Sequence, residues 1–292
     1  MYVDSDIIKN LQVKYGPMKQ LKVLLHLLGG EKEVARAKLV DEGVGVDRMF
    51  HGYVGDVFQL AEPIHPRVWK AIVPQKMAGA CKEDMVVLHG TGYSSCSWRV
   101  RIALALKGIP FKNVPVNLKT LSQKNEEFLR INPMGQVPAL CIDGLVLTQS
   151  VAILEYLEES RPAHPLLPAG LRERALVRRI VETIASGIQP HQNFAGGTVP
   201  PGIPEKYKVA WEWEWGKMWI EKGFQGLEQM VKESSGKYCV GDAITLADVC
   251  LVPQVYNAKV AKVDMTAYPT LVKVNDALLE LDAFRDTHPS LY

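Results

Sequence analysis

Several large protein classes are excluded by what these 292 residues lack. There are only five cysteines, Cys81, Cys96, Cys141, Cys239 and Cys250, an odd number with no CxxC spacing. That pattern argues against a disulfide or zinc framework and for reduced thiols inside a cell. No stretch approaches the ~18 consecutive apolar residues of a membrane span; the nearest, Leu21–Leu28, is interrupted by Lys22 and His26. The formal charge is only +2, so no nucleic acid or anionic membrane is expected as a partner. The first 84 residues contain a single serine, Ser5, and balance 12 Lys and Arg against 11 Asp and Glu. A transit peptide would be Ser- and Arg-rich and poor in acids. A cytoplasmic setting is expected, with a mitochondrion or another organelle as the alternative. His26, His51 and His65 lack metal-ligand spacing, and no metal site is expected.

What is present falls into blocks. Residues 1–84 form an extension of unknown role that reads as partly helical, over roughly Asp4–Leu28 and Glu31–Asp41, followed by a stretch rich in Gly, Pro and aromatics. Residues 85–160 alternate strand and helix: strand Met85–His89, helix Ser97–Lys107 closed by Gly108, strand Phe111–Asn117, and a short helix Glu126–Ile131 broken by Asn132-Pro133. Strand Val137–Ile142 then turns at Asp143-Gly144, a two-residue hairpin signal, into Leu145–Leu147 and a last helix Ser150–Glu159. A βαβ unit joined to a ββα unit is a thioredoxin-like arrangement, four strands covered by helices. Residues 161–168, with three prolines, read as a linker. Residues 169–292 read as an all-helical domain, with amphipathic stretches Leu171–Gln192, Glu205–Ser234, Leu246–Lys262 and Pro269–Phe284. The fold class is thus α/β plus all-α. Thr245-Leu246-Ala247-Asp248 is a capping box that opens a helix, which makes Asp248 a structural acid.

The chemistry concentrates in Ser94-Ser95-Cys96-Ser97-Trp98-Arg99, between the first strand and the helix after it. Hydroxyls and a thiol clustered at a helix N-terminus meet unpaired N–H groups and the positive end of the dipole, which favour a thiolate. Ordinary serine capping beside a structural cysteine is the competing interpretation. Val137-Pro138 stands at a strand start, where proline belongs only at an edge or a special turn. Gln149-Ser150 opens the last helix of its block, so backbone N–H and hydroxyl can hold a carboxylate there; a plain N-cap is compatible with that role.

The run from Ser94 through Trp98-Arg99-Val100-Arg101 to Leu104 resembles the signature of the zeta class of glutathione transferases. So do Asn132-Pro133-Met134-Gly135-Gln136-Val137-Pro138, Gln149-Ser150, Gly187-Ile188-Gln189-Pro190 with Gln192-Asn193, and Tyr238–Asp242 continuing through Asp248 to Pro253-Gln254. The resemblance covers about residues 85–292. It implies the glutathione transferase fold, glutathione as cofactor and a homodimer. It also implies an enzyme that isomerises maleylacetoacetate to fumarylacetoacetate, a step of tyrosine and phenylalanine catabolism, by reversible addition of the glutathione thiolate. The implied catalytic residues are Ser94, with Ser95 as its alternative, and Cys96. The implied glutathione-binding residues add Gln123, Val137, the cis-proline Pro138, Gln149, Ser150, Gln189 and Asn193.

The sequence departs from the family at two positions. Tyr93 and Val260 stand where many zeta-class members carry arginines. Arg99, with Arg101 near it, and Lys259 are the remaining candidates to hold a substrate carboxylate, either arginine having a solvent-facing alternative. The departures keep two further readings open: a glutathione transferase acting on α-halo acids or other electrophiles, and a non-catalytic interaction module.

Overall fold

The computed structural model describes residues 85–193 and 205–292 and, before them, four strands within residues 24–53. The chain divides into two units, Met1–Pro74 and Gln75–Tyr292.

In the first unit, β1 (Leu24–Leu28) pairs antiparallel with β2 (Val34–Leu39), Leu24 opposite Lys38 and Leu28 opposite Val34. Two short strands, β3 (Arg48–Met49) and β4 (Gly52–Tyr53), also pair with β2. The helical expectation for Asp4–Leu28 and Glu31–Asp41 is therefore corrected at these strands, and the rest of both patterns lies outside the described residues. The physical reason is visible in the sequence. A five-residue apolar run has too little length to distinguish helix from strand. In Val34–Leu39, moreover, Arg36 and Lys38 alternate with Ala35, Ala37 and Leu39, a period of two rather than 3.6.

The second unit has the expected order. Strand β5 (Val87–Gly90) is followed by α1 (Ser95–Leu106) and then β6 (Lys112–Pro115), parallel to β5. Helix α2 (Glu126–Ile131) leads to a cis Val137–Pro138 bond and to β7 (Ala139–Ile142), antiparallel to β5. Strand β8 (Leu145–Thr148) completes the sheet in the order β6-β5-β7-β8. Asp143 and Gly144 both have positive φ, 54° and 73°, as a type I′ turn requires, and glycine takes that conformation without steric cost.

Helix α3 (Ser150–Ser160) closes the sheet part. The rest is helical: α4 (Leu171–Glu182), a π-helical continuation Thr183–Ile188, α5 (Gln189–Gln192), α6 (Glu205–Ser234), α7 (Leu246–Val260), α8 (Pro269–Leu279) and α9 (Asp282–Arg285). The Pro/Gly cluster Gly196–Pro204 and the side chains of Trp211 and Trp213 lie outside what is described.

One hydrophobic core runs from Leu88, Leu104 and Leu140 in the sheet part into Val177, Phe224, Leu251 and Phe284 in the helical part. Trp98 joins the two: its Nε1 donates to Thr287 Oγ1 at 3.0 Å, and its ring meets Tyr256 and His288 edge-on. The linker is tied down as well. Buried Lys107 donates to Glu158 and to the carbonyls of Arg161 and His164, while Glu158 accepts the N–H groups of Leu166 and Leu167. Cys96, Cys239 and Cys250 are free thiols, but Cys141 is disulfide-bonded. The expectation of five reduced thiols is corrected there, since spacing in sequence does not register which thiols the fold brings together.

Candidate active site

Helix α1 begins two residues earlier than its apolar pattern suggests, and this puts Ser94 at the N-cap. Its backbone is extended (φ −86°, ψ 113°) and its Oγ accepts the Ser97 N–H at 3.1 Å, satisfying one of the helix's free donors. The Ser94 hydroxyl proton itself has no acceptor among the described residues. Ser95 is buried at 6% exposure, whereas Ser94 and the Cys96 thiol are half-buried.

Arg101 holds the turn that carries Ser94. Fully buried, it donates to the carbonyls of Thr91 (3.2 Å), Gly92 (3.5 Å) and Thr287 (3.3 Å), and the Tyr292 ring lies 4.4 Å from its guanidinium carbon. Burial pulls this guanidinium down to about 10, with the nearby Tyr292 opposing the shift. Gly92 is a close-approach glycine: a Cβ there would sit 2.3 Å from the Tyr292 carbonyl oxygen.

Helix α3 brings a second N-terminus to α1. Ser150 is buried at 7% exposure, and its Oγ accepts from Arg99 Nη1 at 3.2 Å. The expected solvent-facing alternative for the two arginines is thereby corrected, because Arg99 and Arg101 are 1% and 0% exposed. The sequence carried the signal: Trp98, Val100, Ile102, Ala103 and Leu104 surround the helix on all sides, and a helix apolar all round has no face to offer water. Gln149 opens α3 with φ 67° and ψ 113°.

Beside these termini, the cis Val137–Pro138 bond leaves the Val137 amide and carbonyl without a hydrogen bond among the described residues. Gln123, on a 3-10 turn (Ser122–Lys124), packs against the same segment. Its carbonyl oxygen would be 2.9 Å from a Cβ at Gly135, and its buried Oε1 has no partner. Gln189 and Asn193 bracket α5, which is joined to α7 by a 2.6 Å bond from Gln254 Nε2 to Gln192 Oε1. Gln189 is half-buried and Asn193 exposed. Arg99 also lies close enough to Cys250 on α7 to oppose the burial that pushes that thiol up to about 11. Lys259 is exposed in the last turn of α7, roughly 13 Å along the helix from Cys250 by the rise per residue, and is not brought to the cluster. Tyr93 and Val260 are exposed, 78% and 46%.

Family models for the N-terminal and C-terminal domains of glutathione S-transferase match residues 93–160 and 212–284. Maleylacetoacetate isomerase of Rattus norvegicus is 52% identical over 205 residues, covering 70% of this chain and 92% of its own length. A zeta-class glutathione S-transferase of Euphorbia esula is 43% identical over 197 residues, 67% of this chain and 86% of its own. The chain belongs to the zeta class of the glutathione transferases. A solved maleylacetoacetate isomerase from Anaeromyxobacter dehalogenans, with GSH bound in its active site, matches this zeta-class chain with a TM-score of 0.63 at 41% identity. That match covers 71% of this chain and 96% of the other.

The residues present fit glutathione. An extended peptide needs backbone partners, which Val137 offers, and polar side chains such as the unpartnered Gln123 Oε1. Its α-carboxylate needs donors, which the opening N–H groups of α3 and the Ser150 hydroxyl offer. Among the described residues, no cluster of three or more His, Cys, Asp or Glu could hold a metal, and no helix is long and apolar enough to cross a membrane.

Proposed function

We propose that this protein is a glutathione-dependent cis–trans isomerase that converts maleylacetoacetate to fumarylacetoacetate. The observation that carries the reading is the Ser94 hydroxyl. Its oxygen is engaged by the Ser97 N–H, so its proton is free to point away from the helix, toward a sulfur seated at the N-terminus of α1. Identity of 52% to a maleylacetoacetate isomerase supports the choice of substrate.

When bound, glutathione supplies the nucleophile, a thiolate that adds to the cis double bond, permits rotation about the resulting single bond, and is expelled unchanged. Ser94 donates to the sulfur and, with the N-terminal field of α1, favours its anionic form. The backbone of Val137 pairs with the cysteinyl segment, and Gln149 and Ser150 hold the γ-glutamyl end. Gln123, Gln189 and Asn193 line the remainder, and Cys96, half-buried on the first turn of α1, orients sulfur or substrate. Fold-family analogy supports a homodimer, and the near-balanced charge and single serine of residues 1–84 support a cytoplasmic setting.

The test compares glutathione-dependent conversion of maleylacetoacetate by the wild type and by Ser94→Ala. Turnover that collapses in the variant supports both the reaction and the role of Ser94. A folded wild type that binds glutathione but leaves maleylacetoacetate unchanged overturns the isomerase. A second reading then takes precedence, because Tyr93 and Val260 put uncharged, exposed side chains where zeta-class arginines stand. It is displacement of halide from small α-halo acids by the same thiolate, read out as glutathione-dependent halide release.

A further inference from the structure

Arg99 is a costly side chain to bury as it stands. It is 1% exposed, and only Nη1 is used, in the 3.2 Å bond to Ser150 Oγ. Its Nε and Nη2 are buried without any partner, and no carboxylate pairs with it among the described residues. A guanidinium cannot escape this by losing its proton, and a buried, unpaired charge is strongly destabilising. The other buried cations are provided for. Lys107 has Glu158 and two carbonyls, and Arg101 has three carbonyls and an aromatic face. Arg99 alone among them has two guanidinium nitrogens without any hydrogen bond.

Its one contact shows where the missing anion belongs. Ser150 Oγ accepts from Arg99, so the hydroxyl must send its own proton elsewhere, and no described residue receives it. Ser150 is also the first residue of α3, an 11-residue helix whose opening N–H groups are free donors. A buried hydroxyl proton and a helix N-terminus thus meet at one place, with a buried, under-paired guanidinium against the hydroxyl and no negative charge among the described residues.

We propose that Arg99 is a positioning residue for the γ-glutamyl carboxylate of glutathione. Through Nη1 it fixes the Ser150 hydroxyl as a donor to that carboxylate, and the carboxylate brings a negative charge next to the buried guanidinium. This rests on the glutathione reading above. Arg99 accordingly selects a thiol peptide whose γ-glutamyl end carries a free carboxylate, and it is not a partner for the electrophilic substrate.

The test measures binding of two thiols, glutathione and its analogue lacking the γ-glutamyl α-carboxylate (4-aminobutanoyl-cysteinyl-glycine), by calorimetry on the full chain. Wild type is expected to prefer glutathione by about 10- to 100-fold, the range of a charge-assisted contact. In Arg99→Met the preference should fall to within about 3-fold, and in Arg99→Lys, which keeps charge without the fork, it should be intermediate. A merely structural role would weaken both thiols equally and leave the ratio unchanged, and that result overturns the proposal. Absence of preference in the wild type would instead overturn the assignment of the carboxylate to Ser150, and the inference with it. Should the variants fail to fold, a crystal structure of the wild type with glutathione decides. A Ser150 hydroxyl that accepts from Arg99 Nη1 and donates to the carboxylate supports the proposal; a hydroxyl turned away from either defeats it.

Discussion

In the helical part, each buried carboxylate has its oxygens fully engaged. Glu228 accepts the N–H groups of Thr270 and Leu271 at the start of α8. Asp248 accepts those of Cys239 and Thr245 and the Thr245 hydroxyl. At the N-termini of α1 and α3 the pattern is reversed. Arg99 Nε and Nη2, Ser97 Oγ and Gln123 Oε1 are buried without partners, and two serine hydroxyls accept without donating. A buried polar group that is satisfied stabilises one fold, while one left unsatisfied costs free energy that only a ligand or an ordered water returns. The contrast separates groups that hold the protein together from groups that await a small molecule, although Asn113 Oδ1, Trp219 Nε1 and Gln254 Oε1, also unpartnered, lie outside this cluster.

Breaking the satisfied side should give the largest effect. Glu158→Gln leaves Lys107, whose side chain is 0% exposed, without its counter-charge and loosens the linker amides of Leu166 and Leu167. Loss of one partner of a buried pair costs about 3 kcal/mol or more, which for a chain of this size is a fall of about 10 °C in Tm. Calorimetric unfolding measures it, and a Tm within about 2 °C of wild type would show the pair to be dispensable. On the unsatisfied side, Ser94→Ala should lower kcat/KM about 100-fold, about 2.7 kcal/mol of transition-state stabilisation, by analogy with removing one donor from an anion site. Its Tm should fall by only a few degrees, the loss of one cap. A larger loss of stability than of activity would erase the distinction between the two regions. Glu228→Gln should be milder still, about 1–2 kcal/mol of stability from a weakened cap on α8, with kcat/KM unchanged.

Local features were more legible in the sequence than long-range contacts. The Thr245–Asp248 capping box, the Asp143-Gly144 turn and the bounds of α2 are local, written in residues three or four apart, and the structure reproduces them. The zeta-class motifs likewise placed Ser94 and Ser150 each at the start of a helix. What local pattern could not show was that Arg99 reaches Ser150, 51 positions away, or that Thr287 and Tyr292 close over Arg101 and Trp98. Those contacts depend on tertiary packing, and a charged residue inside an apolar helix reports only that some long-range partner must exist. The strands at Leu24–Leu28 and Val34–Leu39 were missed for the opposite reason, since their patterns are too short for a period to decide.

The smallest predicted effect tests the comparison through pH. His89 lies half-buried on β5, with its ring 6.3 Å from that of Phe128. Burial lowers its pKa below the ordinary 6.5, and the Glu127 carboxylate pulls weakly the other way. As pH falls through 6.5 the unfolded chain takes up a proton that the folded protein still refuses. The stability from a neutral His89 is therefore complete above 6.5 and is lost progressively below it. Asp248, in the satisfied region, has the opposite sign. Burial raises its pKa above 3.8 against the pull of its hydrogen bonds, so the cost of its buried charge is greatest at neutral pH and eases as acid is added. Between neutrality and about pH 5, where His titrates and few carboxylates do, wild type should lose Tm that His89→Gln retains, a difference of less than about 1 kcal/mol for a half-exposed group. Superimposable pH profiles for the two proteins would mean that His89 contributes no acid-sensitive stability.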